Sequence, residues 1–271
     1  MGYPTPLPIT TKKVADHILI ASGPFSRVNA LNFGYRMALF RFGNDTVVWS
    51  AIPYGKETID ALKIINEDSP AQVTHLVIPD LEHTMAAKSF KAQFPKLKII
   101  APEGVDLGPE VPIDYKISAS IANKVLKRDD LEAVGIKENT ILDNFEFVYL
   151  PSHKNKELVM YDIKSKILFE ADLLFNLGTP EPLEQYSPET GFPKNYYPHS
   201  GFSFLTRYMY PDSTVGRCLM NKVAGVSTEP GKSGIKAIYS LDFNQIVMCH
   251  GNIISKDAKE AFKKVFADAL K

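Results

Sequence analysis

The stretches Phe147-Val-Tyr-Leu-Pro-Ser-His153 and Ile167-Leu-Phe-Glu-Ala-Asp172 share one form. Each is an apolar run that stops at a single polar side chain able to hold a proton or a metal. Between them lies a third apolar run, Leu158 to Tyr161, joined to the Ile167 run through Ile163-Lys-Ser-Lys. Short apolar runs linked by such a turn read as strands of a hairpin. A chain built this way carries a histidine and a carboxylate on loops at the ends of neighbouring strands, where functional groups concentrate. Taken singly, each has a plainer reading: a surface histidine after a turn and a capping aspartate. Two further stretches repeat the form and change the balance: Val73-Thr-His75-Leu-Val-Ile-Pro-Asp80-Leu-Glu82-His83 and Phe243-Asn-Gln-Ile-Val-Met-Cys249-His250-Gly251.

At 271 residues with 45% hydrophobic and 23% charged side chains, the chain has ample material for a core. Lys plus Arg and Asp plus Glu both total 31, so charge argues for neither nucleic acid nor an anionic membrane as partner. Two cysteines, Cys218 and Cys249, cannot build a disulfide framework and fit a reducing compartment. No apolar run reaches the roughly 18 residues of a membrane helix. The opening Met-Gly-Tyr-Pro-Thr-Pro has no signal-peptide core, and Pro6 breaks the myristoylation pattern. The expectation is a cytoplasmic protein that meets a small molecule.

Along the chain, Val14 to Ser22 reads as one strand, and Tyr35 to Phe42 pairs with Thr46 to Ser50 around the turn Gly43-Asn-Asp. Lys56 to Asp68 has helical periodicity, Val73 to Pro79 is a strand, Thr84 to Phe94 a helix and Lys98 to Ala101 a strand. Ala119 to Leu126 and Asp129 to Val134 read as helices. The segment 176–198, rich in Pro, Glu, Gly and Tyr, is a long loop of the kind that is functional or mobile. Phe202 to Val223, broken at Pro211, and Ser233 to Ser240 are helical, Ile246 to Met248 is a strand, and Lys256 to Leu270 is an amphipathic terminal helix. Two successions of strands, each closed by helices, predict an α/β sandwich rather than a doubly wound sheet. His75 reads as a packed histidine, His17 and His199 as surface residues, and Cys249 as a small buried side chain. There is no phosphate loop, dinucleotide fingerprint or serine elbow.

Pro-Ser-His153 before a strand, Leu-Phe-Glu-Ala-Asp172 after the next and Cys-His250-Gly after a late one resemble the metallo-β-lactamase-like superfamily. Ile78-Pro-Asp-Leu-Glu-His83, His153-Lys-Asn-Lys-Glu-Leu-Val, Glu170-Ala-Asp-Leu-Leu-Phe-Asn176 and Ser22-Gly-Pro-Phe-Ser-Arg27 are similar, more narrowly, to a mostly fungal subfamily with a degenerate metal motif. The resemblance covers the whole chain. It implies one domain over 1–271, a four-layer αββα sandwich, with a metal site at one edge.

The departures from the superfamily's His-x-His-x-Asp-His signature matter equally. Aligned on His83, that motif falls on Ile78, Asp80, Glu82 and His83. Ile78 cannot bind a metal. The resemblance then assigns Asp80, His153 and Asp172 to a first metal position, and Glu82, His83, His250 and Asp172 to a second. It implies one divalent cation at His83, Asp172 and His250, zinc first, with iron or manganese as substitutes. Asp80 or Glu82 would orient or deprotonate a metal-activated water. The activity implied is hydrolysis of an ester, lactone, thioester or phosphoester. The alternative is a non-catalytic binding protein that keeps the sandwich and has lost part of the metal centre.

Overall fold

The computed structural model describes residues 3–28 and 30–271. Strands β1 (Thr10–Ala15) and β2 (Ile18–Gly23) open the chain, and β3 (Ser26–Arg27) with β4 (Leu31–Asn32) forms a small ribbon. Strands β5 (Tyr35–Phe42), β6 (Asp45–Trp49), β7 (Gln72–Val77), β8 (Lys98–Pro102) and β9 (Tyr115–Ile117) complete a seven-stranded sheet ordered β1-β2-β5-β6-β7-β8-β9. Its first four strands pair antiparallel and the rest parallel. The second sheet has five strands in chain order: β10 (Val125–Leu126), β11 (Phe145–Leu150), β12 (Glu157–Asp162), β13 (Ile167–Glu170) and β14 (Gln245–Met248).

Helices α1 (Lys56–Asn66) and α2 (Ala87–Gln93) cover the first sheet, burying Leu62, Ile65 and Phe90 against Met37, Leu39 and Val48. Short helices α3 (Arg128–Val134) and α4 (Asn139–Leu142) lie between β10 and β11 in sequence. The second sheet is covered by α5 (Thr214–Val223), α6 (Glu229–Ser240) and α7 (Ala258–Val265), through Met220, Ile235, Ile238 and Phe262. Between the sheets, Phe40 meets Phe145 and Phe169 edge to face at 5.1 and 4.9 Å, and Trp49 meets Phe169 at 5.6 Å. This is the αββα sandwich, and it explains why the strands read as continuous apolar runs: both faces are buried. Along β11, Phe145, Phe147 and Tyr149 enter the central layer, while Val148 and Leu150 face the helices.

Several readings of the sequence change. Val14 to Ser22 is not one strand: β1 turns at Asp16-His17 into β2. No glycine or proline marks that turn. His17 is buried there and not on the surface, with Nε2 3.1 Å from Asp162 Oδ1. Ala119 to Leu126 is a short 3-10 turn over Ala119–Ile121 followed by β10. Asn123, at a left-handed φ of 58°, breaks the helix, and Val125 and Leu126 pair with β11 instead. Residues 176–198 form a strap tied to the sheets. Gln185 Nε2 donates to the Cys249 carbonyl at 2.9 Å, and Tyr186 Oη donates to the Phe25 carbonyl at 2.8 Å. Buried Arg36 reaches Glu184 at 2.9 Å. His199 is likewise buried, 2.7 Å from Thr206 Oγ1.

Topology places the polar strand ends together. β11 and β13 both run antiparallel to β12, so they finish at the same edge, and β14 lies parallel beside β13. The segment after β7 joins that edge through two backbone hydrogen bonds, Leu158 N to Pro79 O and Leu81 N to Asn155 O.

Candidate metal centre

At this edge His83, Asp172 and His250 each offer a ligand atom, and the three atoms lie within 4.8 Å of one another. Each side chain is aimed by a second contact. Asp80 is fully buried; its Oδ1 accepts the Glu82 and His83 backbone N–H groups at 2.7 and 2.9 Å. Both its oxygens face His83 Nδ1, at 2.9 and 3.0 Å. His250 Nδ1 donates to the Gly34 carbonyl at 2.9 Å. Asp172 Oδ2 accepts from Asn155 Nδ2 at 2.6 Å, leaving Oδ1 3.2 Å from His250 Nε2. The ring of His250 is held between Phe175, parallel at 5.6 Å, and Phe33 at 5.4 Å.

These contacts test whether a cation fits. A carbonyl can only accept, so His250 Nδ1 carries a proton, and a neutral ring then turns the Nε2 lone pair toward Asp172 Oδ1. Two lone pairs at that separation need a proton or a cation between them. Imidazoles whose Nδ1 is held by a carboxylate or carbonyl match the outer-shell pattern of metal-ligating histidines. The donor set suits a divalent transition metal.

Electrostatics support the same arrangement. Burial alone would raise the Asp172 carboxyl, but the His250 hydrogen bond and the nearby His83 and His153 hold it well below the usual range. Burial alone would lower His83, yet the adjacent Asp80 charge raises it well above an ordinary histidine. Behind the site, Glu157 accepts the Ala171 and Asp172 N–H groups at 2.6 and 3.2 Å. Glu170 accepts those of Leu173 and Leu174 at 2.9 and 3.1 Å. Burial first, and then neighbouring carboxylates, push both glutamates far up. Glu170 Oε1 has no hydrogen-bond partner among the described residues.

Of the remaining residues singled out from sequence, Asp80, His153 and Cys249 contact the trio without belonging to it. His153 donates Nε2 to the Asp172 carbonyl at 3.2 Å and accepts the Asn155 N–H on Nδ1 at 3.2 Å. Both nitrogens are therefore occupied by protein. Burial lowers its pKa, so the ring is neutral. Asp80 has its oxygens on His83 and on backbone. Glu82 lies at the mouth, 3.3 Å from Arg27 and 41% exposed. Ile78 is buried in the layer between the first sheet and its helices. Cys249 is buried with Sγ 3.1 Å from Ser50 Oγ.

A cavity of about 280 Å³ opens over the trio. Sequence gives no sign of two of its residues. Asn155, which fixes Asp172, is an ordinary loop asparagine two positions after His153. Tyr3 is close to His83 and Cys249, packed against Phe25 and Tyr35 at 5.4 and 5.1 Å; burial pushes its phenol up to about 12.

No protein-family model and no curated protein sequence matches the chain. Solved structures do match. The chain is similar to the metallo-β-lactamase from Hirschia baltica, at 10% identity and TM-score 0.57, covering 97% of this chain and 98% of that one. It is similar to FIM-1 from Pseudomonas aeruginosa in its mono-zinc form, at 11% identity and TM-score 0.56, covering 97% and 95%. It is also similar to the DIM-1 metallo-β-lactamase exposed to ceftazidime, at 14% identity and TM-score 0.58, covering 100% and 99%. The fold is that of the metallo-β-lactamases.

Proposed function

We propose that this chain is a metal-dependent hydrolase of a small molecule, holding one divalent cation, zinc first, on His83, Asp172 and His250. The observation that carries the reading is the convergence of two imidazoles and one carboxylate, each also held by a second contact, to Asp80, to the Gly34 carbonyl and to Asn155. The mono-zinc form of a structure with the same fold supports a stoichiometry of one. A cation bound there supplies Lewis acidity and lowers the pKa of water.

The chain's own groups do the rest. Asp80 fixes the tautomer and direction of His83, and Asn155 keeps Asp172 Oδ1 turned inward. Tyr3, whose phenol burial pushes up to about 12, lines the cavity and would supply a hydroxyl for negative charge that develops on a substrate oxygen. Phe33 and Phe175 keep bulk water from His250. Exposed, free Cys218 fits action in the reducing cytoplasm.

One observation favours the second reading, a binding protein with the same fold. Asp80 is committed to His83 and Glu82 to Arg27, so neither is a free base. Metal analysis of protein purified without chelator, followed by an ester and phosphoester panel, separates the two. The hydrolase reading expects one ion per chain and turnover that chelation abolishes and zinc restores. A folded, metal-free and inert protein establishes the binder.

A further inference from the structure

We infer that the cavity selects a carboxylic ester or thioester with a flat apolar or aromatic body, and rejects phosphoesters; this rests on the hydrolase reading. The wall beside the metal ligands is hydrocarbon and sulfur. Phe175 lies parallel to His250, Phe33 closes the other side, and Met209 and Met85 also line the cavity. Aromatic faces and thioethers favour flat, polarisable ligands and adapt to their outline. Met85 is 49% exposed, an apolar side chain at the mouth that a ligand would cover. At about 280 Å³ the space lies near the lower bound of about 300–1,000 Å³ for ligand pockets, which suits a small molecule rather than a polymer.

Charge decides against a phosphoryl group. A phosphoester brings anionic oxygens in its ground state, and sites for them supply Arg or Lys clamps and backbone N–H cradles. Here the lining cations are Arg27 and Lys154 and the lining carboxylates are Glu82 and Asp172. Arg27 is paired with Glu82 at 3.3 Å. Lys154, exposed at the rim, is the one lining cation without an ion pair among the described residues. A carboxylic ester is neutral until its carbonyl is attacked. Its acyl carbon–oxygen bond breaks, water supplies the new oxygen, and the alcohol leaves with a proton. Only the transient oxyanion then needs a donor, and Tyr3 lines the same cavity.

The test uses the zinc-loaded full chain. Hydrolysis of 4-nitrophenyl benzoate, 4-nitrophenyl acetate and bis(4-nitrophenyl) phosphate is compared, each rate normalised to its uncatalysed reaction. Binding of 2-naphthoate and of phenyl phosphate is measured by calorimetry. The inference expects benzoate over acetate by about tenfold or more, and naphthoate bound at least tenfold tighter than phenyl phosphate. Met85→Asp, which changes a half-exposed side chain and keeps one zinc per chain, should erase most of both preferences. Equal rates for acetate and benzoate, or a preference for either phosphate compound, overturns the inference while leaving the hydrolase intact. Preferential naphthoate binding with no turnover of any substrate instead overturns the hydrolase reading and keeps the cavity assignment.

Discussion

His153 Nε2 is 3.2 Å from the backbone carbonyl of Asp172, while Asp172 turns its carboxylate away toward Asn155 and His250. These contacts tie His153 to the loop that carries Asp172, and His153 is not one of the three side chains whose ligand atoms converge. His153→Ala should retain one metal per chain by elemental analysis. It should lose about 1–3 kcal/mol in urea unfolding, since two backbone groups lose a buried partner. A variant that loses the ion but keeps its stability would return His153 to the ligand set.

In the proposed centre Asp80 would act on the metal through His83. Asp80→Ala frees the His83 ring and strips two backbone N–H groups of their acceptor. Metal affinity should fall about 10–100-fold, the usual effect of losing an outer-shell partner. Competition with a chromogenic chelator measures it. Unchanged affinity would show that His83 is aimed by packing alone.

Proton linkage has a definite sign at His83. Asp80 raises its pKa in the metal-free protein, so that charge stabilises the fold fully below about pH 6.5 and the contribution is lost as pH rises through the raised value. A ligating imidazole must give up its second proton. Metal affinity should therefore weaken as pH falls through the raised His83 value, with proton release visible in calorimetry in buffers of different ionisation enthalpy. Asp80→Asn should move the onset to lower pH.

Tyr3→Phe should leave metal content and unfolding midpoint within error and lower kcat about 100-fold, with KM little changed. The phenol titrates at about 12, so the wild-type pH profile should show no inflection from it below pH 10. Loss in KM alone would make Tyr3 a wall of the cavity and nothing more.

The strands and the order of the ligands were legible because apolar runs end at polar residues four times. What those endings do was legible only in part. Ile78 occupies a ligand position by alignment, but its side chain enters the layer under α1 and α2, among Leu62 and Phe90. Ile78 therefore packs as core and offers no ligand atom. His153 reads as a ligand from its Pro-Ser-His context, and only three dimensions show both nitrogens taken. Tyr3 and Asn155 left no trace because their roles depend on contacts between segments far apart in the chain. The turn at Asp16-His17 stayed hidden because neither glycine nor proline marks it.

After a break over residues 171–175, the segments that follow β13 and β14 meet again in a bridge between Asn176 and Gly251, with Asn176 N reaching the His250 carbonyl at 3.3 Å. Gly251 sits at φ 99°, and a Cβ there would overlap the Asn176 carbonyl. Asp172 and His250 lie between the strand pairing and that bridge, so their spacing depends on both. In a mutational scan, Gly251→Ala, which touches no ligand atom, should therefore be scored among the zinc-loss alleles. A genetic map of the metal centre would include positions chosen for backbone fit, and a search restricted to His, Asp, Glu and Cys would overlook them.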